Sequence, residues 1–577
     1  MTDEELITKL EESTKNATHH QLQTLRSILQ HNGGVRYLQP YLGGYNAPID
    51  AATFRNAVPL SCYDDYVDYI NQMADCIADH DEPLLSVDPL VCFFHSSGAG
   101  SMKSKLIPYF DSDLSKAASS IAHLGSKASV RRLFPPRPSV NKMLCFLYAK
   151  IITITKGGLK VMAASSYNLQ SGNATSQLSF NSSPLEVLLG SNFEHQMYCH
   201  LLCGLVHSDV IDGIVTPYAI GLIKAFGLLE SRWEQICYDL DRGFLTSEIS
   251  EVAMRDSVNE ILGGPQQESS KRIRLICEGK DWSGIARRLW PNIRYIRCIT
   301  TGSMKQYYPK LKNYAGEVPI LGGDYFASEC CVGINLDIMQ PPETTEFVML
   351  PTAAFFEFLP FDINQTRTYV GEETVDSSGV EVGKMYEVVV TTYRGLYRYR
   401  LGDVVRVVGF HNSSPKMEFV MRAPKTHREI VTERGLISTV ENFQLVLRGA
   451  IQIEILEFAS FLDLELRPQQ LKLFVEVAEG CMFMQEDKLK ELAIIINRCS
   501  SLLESGLGAM YKVQRDEGSI GSLLIFIVKP GTFDRLSQVA IENGTPASQY
   551  KPPKIIQNHE MVDLLERSAL VKVSLDS

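Results

Sequence analysis

Beyond about residue 425 the chain changes texture, and that change constrains its fold more than any other feature. A helix-like stretch at 436–447 precedes strand-like stretches at 452–458 and 471–477, an amphipathic helix at 488–503 and an apolar strand at 522–528. Apolar residues recur every three or four positions in the helical stretches and run together in the strands. Strands separated by helices within about 150 residues make a small α/β domain, since each element must bury its apolar face against another layer. We place a boundary near 425–435, giving a large domain at 1–428 and a small one at 429–577.

Upstream the pattern is also α/β. Thr2 and Glu5 form a capping-box signature that opens an amphipathic helix carrying Leu6 and Leu10. The apolar run at 90–95 reads as a buried strand entering a small-residue loop, and helical spacing is clear at 185–206 and 219–240. Strand signals dominate at 347–361 and 386–410, the latter with a turn at Arg394 and Gly395, while 134–138 reads as a local loop. At 577 residues the chain exceeds one ordinary core and has ample volume for a ligand cleft.

Composition excludes several classes. A net charge of −11 argues against a general nucleic-acid binder, which needs a basic face to displace counterions. Thirteen cysteines, with no CxxC pair and no zinc-like spacing, read as reduced thiols. There is no basic-then-apolar leader and no run of 18 apolar residues, so a cytoplasmic protein with no membrane partner is expected.

Three short segments carry chemistry. In YRYRLGDVV, 397–405, Asp403 follows a glycine, where a carboxylate can accept both hydroxyls of a ribose; a Gly-Asp pair is equally at home in a hairpin turn. In HSSGAGSMKSK, 95–105, the small residues let backbone N–H groups approach phosphate oxygens, Ser96 and Ser97 add hydroxyls, and Lys103 or Lys105 can neutralise charge. The spacing is not that of a Walker loop, because Lys103 stands where the second glycine is required, and an ordinary loop remains open. In GDYFASE, 323–329, Tyr325 could stack on a purine and Glu329 could hold magnesium, or the segment is a strand end with an exposed acid.

Taken in order, these segments resemble the Gretchen Hagen family of plant acyl acid–amido synthetases, adenylate-forming enzymes that join plant hormones or related acids to amino acids. The resemblance spans roughly 20–560 and rests on 96–108, 301–320, 323–329, 355–360, 397–415 and 549–554. It implies an α/β protein: a large N-terminal adenylate-forming domain with mixed sheets and a β-barrel-like subdomain, then a smaller, mobile α/β domain. It implies ATP and Mg2+ as cofactors, with a small carboxylic acid and an amino acid as substrates; a monomer is expected. In this chemistry the acid attacks the α-phosphate of ATP, expelling pyrophosphate, and the amino-acid amine then displaces AMP. Carried over residue by residue, Ser96, Ser97 and Gly98 cradle phosphate, Tyr325 lines the adenine pocket, Glu329 binds the metal and Asp403 holds the ribose. Lys551, in QYK, resembles the lysine that the small domain brings to the site on closing.

The acid pocket carries over less directly. Ser165 and Ser166, in AASSYN, resemble one wall, and Tyr218 and Ile220, in the helix at 217–226, another; each is also a natural core residue of an amphipathic helix. The chain departs from the family pattern at Ala99, Gly100 and Met102 in the serine loop, at Phe326 where a glycine is usual, and at Arg434 near a usual lysine. Losing a hydroxyl contact to an anion removes about 1.5 to 3 kcal/mol. The leading expectation is an ATP- and Mg2+-dependent acid–amino acid ligase acting on a jasmonate-type acid. The alternatives are an auxin- or benzoate-conjugating ligase and a weakened relative that binds nucleotide or hormone acid as a regulator.

Overall fold

The computed structural model describes residues 2–43, 49–75, 82–96, 105–170, 179–246, 249–362, 373–423, 431–478, 486–542, 545 and 550–574. The first helix, Asp3–Lys15, starts where the capping box puts it: Thr2 Oγ1 accepts from the Glu5 N–H at 3.2 Å, and the Glu5 carboxylate accepts from the Thr2 N–H at 2.8 Å. Leu6 and Leu10 are buried.

A four-stranded parallel sheet runs in the order Lys142–Cys145, Ile211–Tyr218, Tyr295–Ile299, Ile320–Gly322. Parallel neighbours need crossovers, and the helices Phe193–Val206, Ala219–Arg242 and Tyr308–Ala315 lie in those connections. Residues 196–205 are buried without a break, which is why that helix shows no polar face. The helical stretch at 185–206 divides into Leu185–Leu189 and Phe193–Val206, because Asn192 caps the second helix by accepting from the His195 N–H at 3.0 Å.

Seven strands form an antiparallel sheet in the order Phe355–Phe361, Met385–Thr391, Tyr399–His411, Ser414–Arg422, Glu346–Met349, Cys331–Ile334, Tyr325–Phe326. Strand signals read together at 347–361 thus belong to two strands that are not neighbours. The Gly402-Asp403 pair is not a hairpin turn but a bulge inside Tyr399–His411. Opposite it, Glu387 pairs with Val404 and Val389 with Arg400, so three residues face one. Gly402 has φ +77°, a conformation that costs glycine nothing. The hairpin comes later, at Asn412 (φ +54°), between His411 and Ser414. A smaller sheet, in the order Lys105–Phe110, Leu90–Ser96, Lys160–Met162, Thr153–Ile154, packs nearby.

From residue 431 onward the chain builds a five-stranded mixed sheet, in the order Ile555–Ile556, Ile455–Asp463, Gln470–Val477, Leu524–Val528, Ala569–Ser574. It has its own apolar clusters, one containing Leu436, Phe443, Leu473 and Ile525, the other Phe474, Phe526 and Leu565. Two details differ from the sequence reading. The helix Glu433–Ile451 runs to a left-handed cap at Gln452, so the strand begins at Ile455. The stretch at 488–503 is two helices, Glu486–Arg498 and Ser500–Gly506. Glu457 meets the upstream part of the chain at the Tyr307 hydroxyl and at Gln306 Nε2, 3.3 Å away, and pairs within its own part with Lys554, whose side chain is fully buried.

Candidate active site

A cavity of about 1540 Å³ opens where these parts meet. Its walls come from Leu90–Ser96 and Lys105–Phe110, the end of Ile211–Tyr218, the 401–403 bulge, Arg422, and Glu433, Lys551 and Lys554 of the C-terminal part. Phe326 lies on the wall with its ring 4.5 Å from His123, which leaves the cavity open.

Of the residues singled out from sequence, Ser96, Lys105, Ser165, Tyr218, Glu329, Asp403 and Lys551 all line this one cavity. They come from positions as far apart as 96 and 551, so only the tertiary fold assembles them. Ser97, Gly98 and the loop departures Ala99, Gly100 and Met102 lie outside the described residues. Ser166 does not face the cavity: its hydroxyl donates to the Tyr148 carbonyl at 2.9 Å and it is fully buried. One residue of helix turns the side chain by about 100°, so Ser165 and Ser166 cannot share a wall. Ile220 packs on the core of the parallel sheet rather than on the cavity.

Tyr325 is likewise not on the wall. Its ring lies between Phe347 (5.3 Å) and Phe419 (6.2 Å), and its hydroxyl donates to Asp403 Oδ2 at 2.5 Å. The other carboxylate oxygen of Asp403 faces Arg422 at 2.7 Å. That pairing raises the Arg422 guanidinium above its ordinary range.

Glu329 is buried rather than exposed, and burial pushes its carboxyl above the usual carboxylate range, with Lys105 pulling the other way. Lys105 Nζ donates to the Tyr399 hydroxyl at 3.1 Å and sits over the Tyr63 ring at 5.3 Å. Among the described residues no cluster of three His, Cys, Asp or Glu could hold a metal. A divalent cation on Glu329 would therefore take its remaining oxygens from phosphate and water, the usual manner of magnesium. A buried hard-oxygen donor on the wall of a cavity with room for a phosphate chain fits that ion.

Lys551 Nζ lies 4.2 Å from the centre of the Tyr218 ring, so the C-terminal part touches the upstream wall directly. Glu433, beside it, is pushed up by burial and pulled down by Lys554, Arg422 and Lys551. Glu433, Lys554, Arg422 and Arg394 were not anticipated as cavity residues. Their neighbours are distant in sequence, and Arg394 read only as part of a turn.

Comparison with known proteins places this geometry. The GH3 family N-terminal domain matches residues 6–320, the GH3 family central domain 347–422 and the GH3 family C-terminal domain 435–560. A probable indole-3-acetic acid-amido synthetase, GH3.6, of Oryza sativa subsp. japonica is 46% identical over 406 residues, covering 68% of this chain and 82% of that protein. The jasmonoyl--L-amino acid synthetase GH3.5 of the same organism is 33% identical over 592 residues, covering 98% and 97%. The solved structure of GH3.15 acyl acid amido synthetase superimposes with a TM-score of 0.85 at 29% identity, over 99% of this chain and 97% of that one.

Proposed function

The chain belongs to the GH3 family, and from that membership we propose that it is an ATP-dependent ligase joining a hormone-type carboxylic acid to an amino acid through an acyl-adenylate. The observation that supports this best is the meeting of Lys551 with Tyr218 in the cavity that also holds Lys105, Glu329 and Asp403. Adenylation needs cations near developing phosphate charge, and the cavity brings Lys105 and Lys551 to it from separate parts of the chain.

Each residue has a defined task in this reading. Asp403 accepts the ribose hydroxyls once its present partners yield. Lys105, with the hydroxyl of Ser96, meets the phosphates. Lys551 approaches from the C-terminal side, and the boundary near residue 430 is the hinge about which the 429–577 part moves. Mg2+, held by Glu329, would supply charge neutralisation between phosphate oxygens.

The acid is of the jasmonate or auxin type. The altered serine loop is the argument for jasmonate, whereas the relative at 46% identity carries an indole-3-acetic acid name. Incubation of the purified protein with ATP, Mg2+, amino acids and a panel of acids tests the proposal by pyrophosphate release followed by amide formation. Release with one acid and amide formation from it is the expected result. Absence of pyrophosphate with every acid would overturn the ligase reading in favour of a binding protein.

A further inference from the structure

We infer that Arg394 is the receptor for the carboxylate of the acid substrate, an inference that rests on the ligase reading above. Most cations around the cavity are already matched: Lys116 with Asp111, Arg400 with Glu387, Arg422 with Asp403, Lys554 with Glu457. Arg394 lines the same cavity and, among the described residues, forms no ion pair. Its Nη1 donates to the Ser328 carbonyl at 3.1 Å, and Glu329 attracts it only from beyond pairing distance. The guanidinium lies over the rings of Tyr109 (4.9 Å) and Phe94 (5.5 Å). Stacking occupies the flat faces of the guanidinium and leaves its edge donors for an oxyanion.

The surroundings select which oxyanion. Phe94, Tyr109 and Tyr167 form one aromatic group, with ring centres 4.4 to 5.9 Å apart, so the charge sits beside an apolar wall. A ring-bearing carboxylic acid presents that combination: one carboxylate on an apolar body. A triphosphate needs several donors and a metal, and those groups gather around Lys105, Glu329 and Asp403. Burial holds the Arg394 guanidinium below its ordinary range, so an arriving anion relieves a charge that the fold leaves uncompensated.

The test is equilibrium binding to the full chain without ATP, by isothermal titration, for wild type, Arg394→Met and Arg394→Lys. The probes are indole-3-acetate, jasmonate, the neutral amides of both, and inorganic pyrophosphate. Loss of a charge-assisted hydrogen bond predicts that Arg394→Met weakens the bound acid about 10-fold or more, with its amide and pyrophosphate unchanged and Arg394→Lys intermediate. The inference is overturned if acid and amide weaken equally, if pyrophosphate weakens instead, or if neither acid binds wild type. Should Arg394→Met not fold, wild type decides, since equal affinity for acid and amide excludes a carboxylate receptor. Arg394-dependent acid binding without pyrophosphate release would remove the ligase reading alone. Release that is indifferent to Arg394→Lys, with unchanged acid affinity, would remove this inference alone.

Discussion

The hydroxyl of Tyr325 donates to Asp403 across 78 positions of sequence, at 2.5 Å. With Arg422 at 2.7 Å on the other oxygen, the carboxylate is held on the bulge and aimed into the cavity before any nucleotide arrives. A ribose must therefore displace or share these partners, so the ground state already contains a competitor for the sugar.

Asp403→Ala is expected to raise the KM for ATP by about 10- to 100-fold, the loss of one to two hydrogen bonds to a charged group. Tyr325→Phe keeps the carboxylate and removes the competitor, so its KM for ATP stays level or falls. Steady-state kinetics of the two variants checks the pair. An unchanged KM in Asp403→Ala would remove the ribose assignment.

What the sequence disclosed divides along physical lines. Local signals read correctly because they depend on near neighbours: the Thr2–Glu5 box, the strand signals in 386–410 with their turn at Arg394 and Gly395, the periodicity in 219–240. Gln452 misled because QIEIL alternates like a strand, whereas the helix before it had one more turn to complete. Ser166 misled because adjacent helical residues point in different directions. The Gly-Asp pair misled because such pairs are common in turns, whereas whether it made a turn or a bulge depended on Met385–Thr391 pairing across it. Arg394, Arg422 and Glu433 were silent because a charged residue declares nothing until its neighbours are known.

Lys551 approaches the cavity from a different part of the fold than Asp403 and Lys105, so its removal should divide the two half-reactions unequally. Lys551→Ala is expected to slow pyrophosphate release about 100-fold or more, in the range seen for loss of a preorganised charge donor, while amide formation from supplied acyl-adenylate changes less. Tyr218→Phe keeps the ring under the ammonium and should behave like wild type. Rapid-quench measurement of each half-reaction decides. Equal small losses in both would argue against the assigned role.

Glu457 joins the parts of the chain through Tyr307 and Gln306, and within its own part it pairs with Lys554, whose side chain is wholly buried. Glu457→Ala strands that ammonium, which costs about 3 to 5 kcal/mol for a broken buried pair. Glu457→Gln keeps a hydrogen-bond acceptor and should lose less. Replacing both members, as Glu457→Leu with Lys554→Met, should recover much of the loss, because no unpaired charge is left behind. Urea unfolding of the three variants measures this, and a double variant less stable than Glu457→Ala would contradict it.

His95 and His200 set an acid limit on stability. Both are buried, and burial lowers each to about 4. Unfolded histidine titrates near 6.5. Between those values the unfolded chain takes up protons that the folded chain refuses, so each histidine's contribution is complete above about pH 6.5 and declines as pH falls towards 4, by about 1.4 kcal/mol per unit. Glu329, Glu433 and Glu476 have raised values and act with the opposite sign from their ordinary carboxylate range upward, so a wild-type curve alone mixes the two. The difference from His95→Phe separates them. Among the described residues His95 Nδ1 has no hydrogen-bond partner, so this variant sacrifices none of those at that nitrogen while deleting one titration. Urea unfolding from pH 7 to pH 4 should show wild type losing stability faster than His95→Phe; parallel curves would mean that His95 is protonated in the folded state.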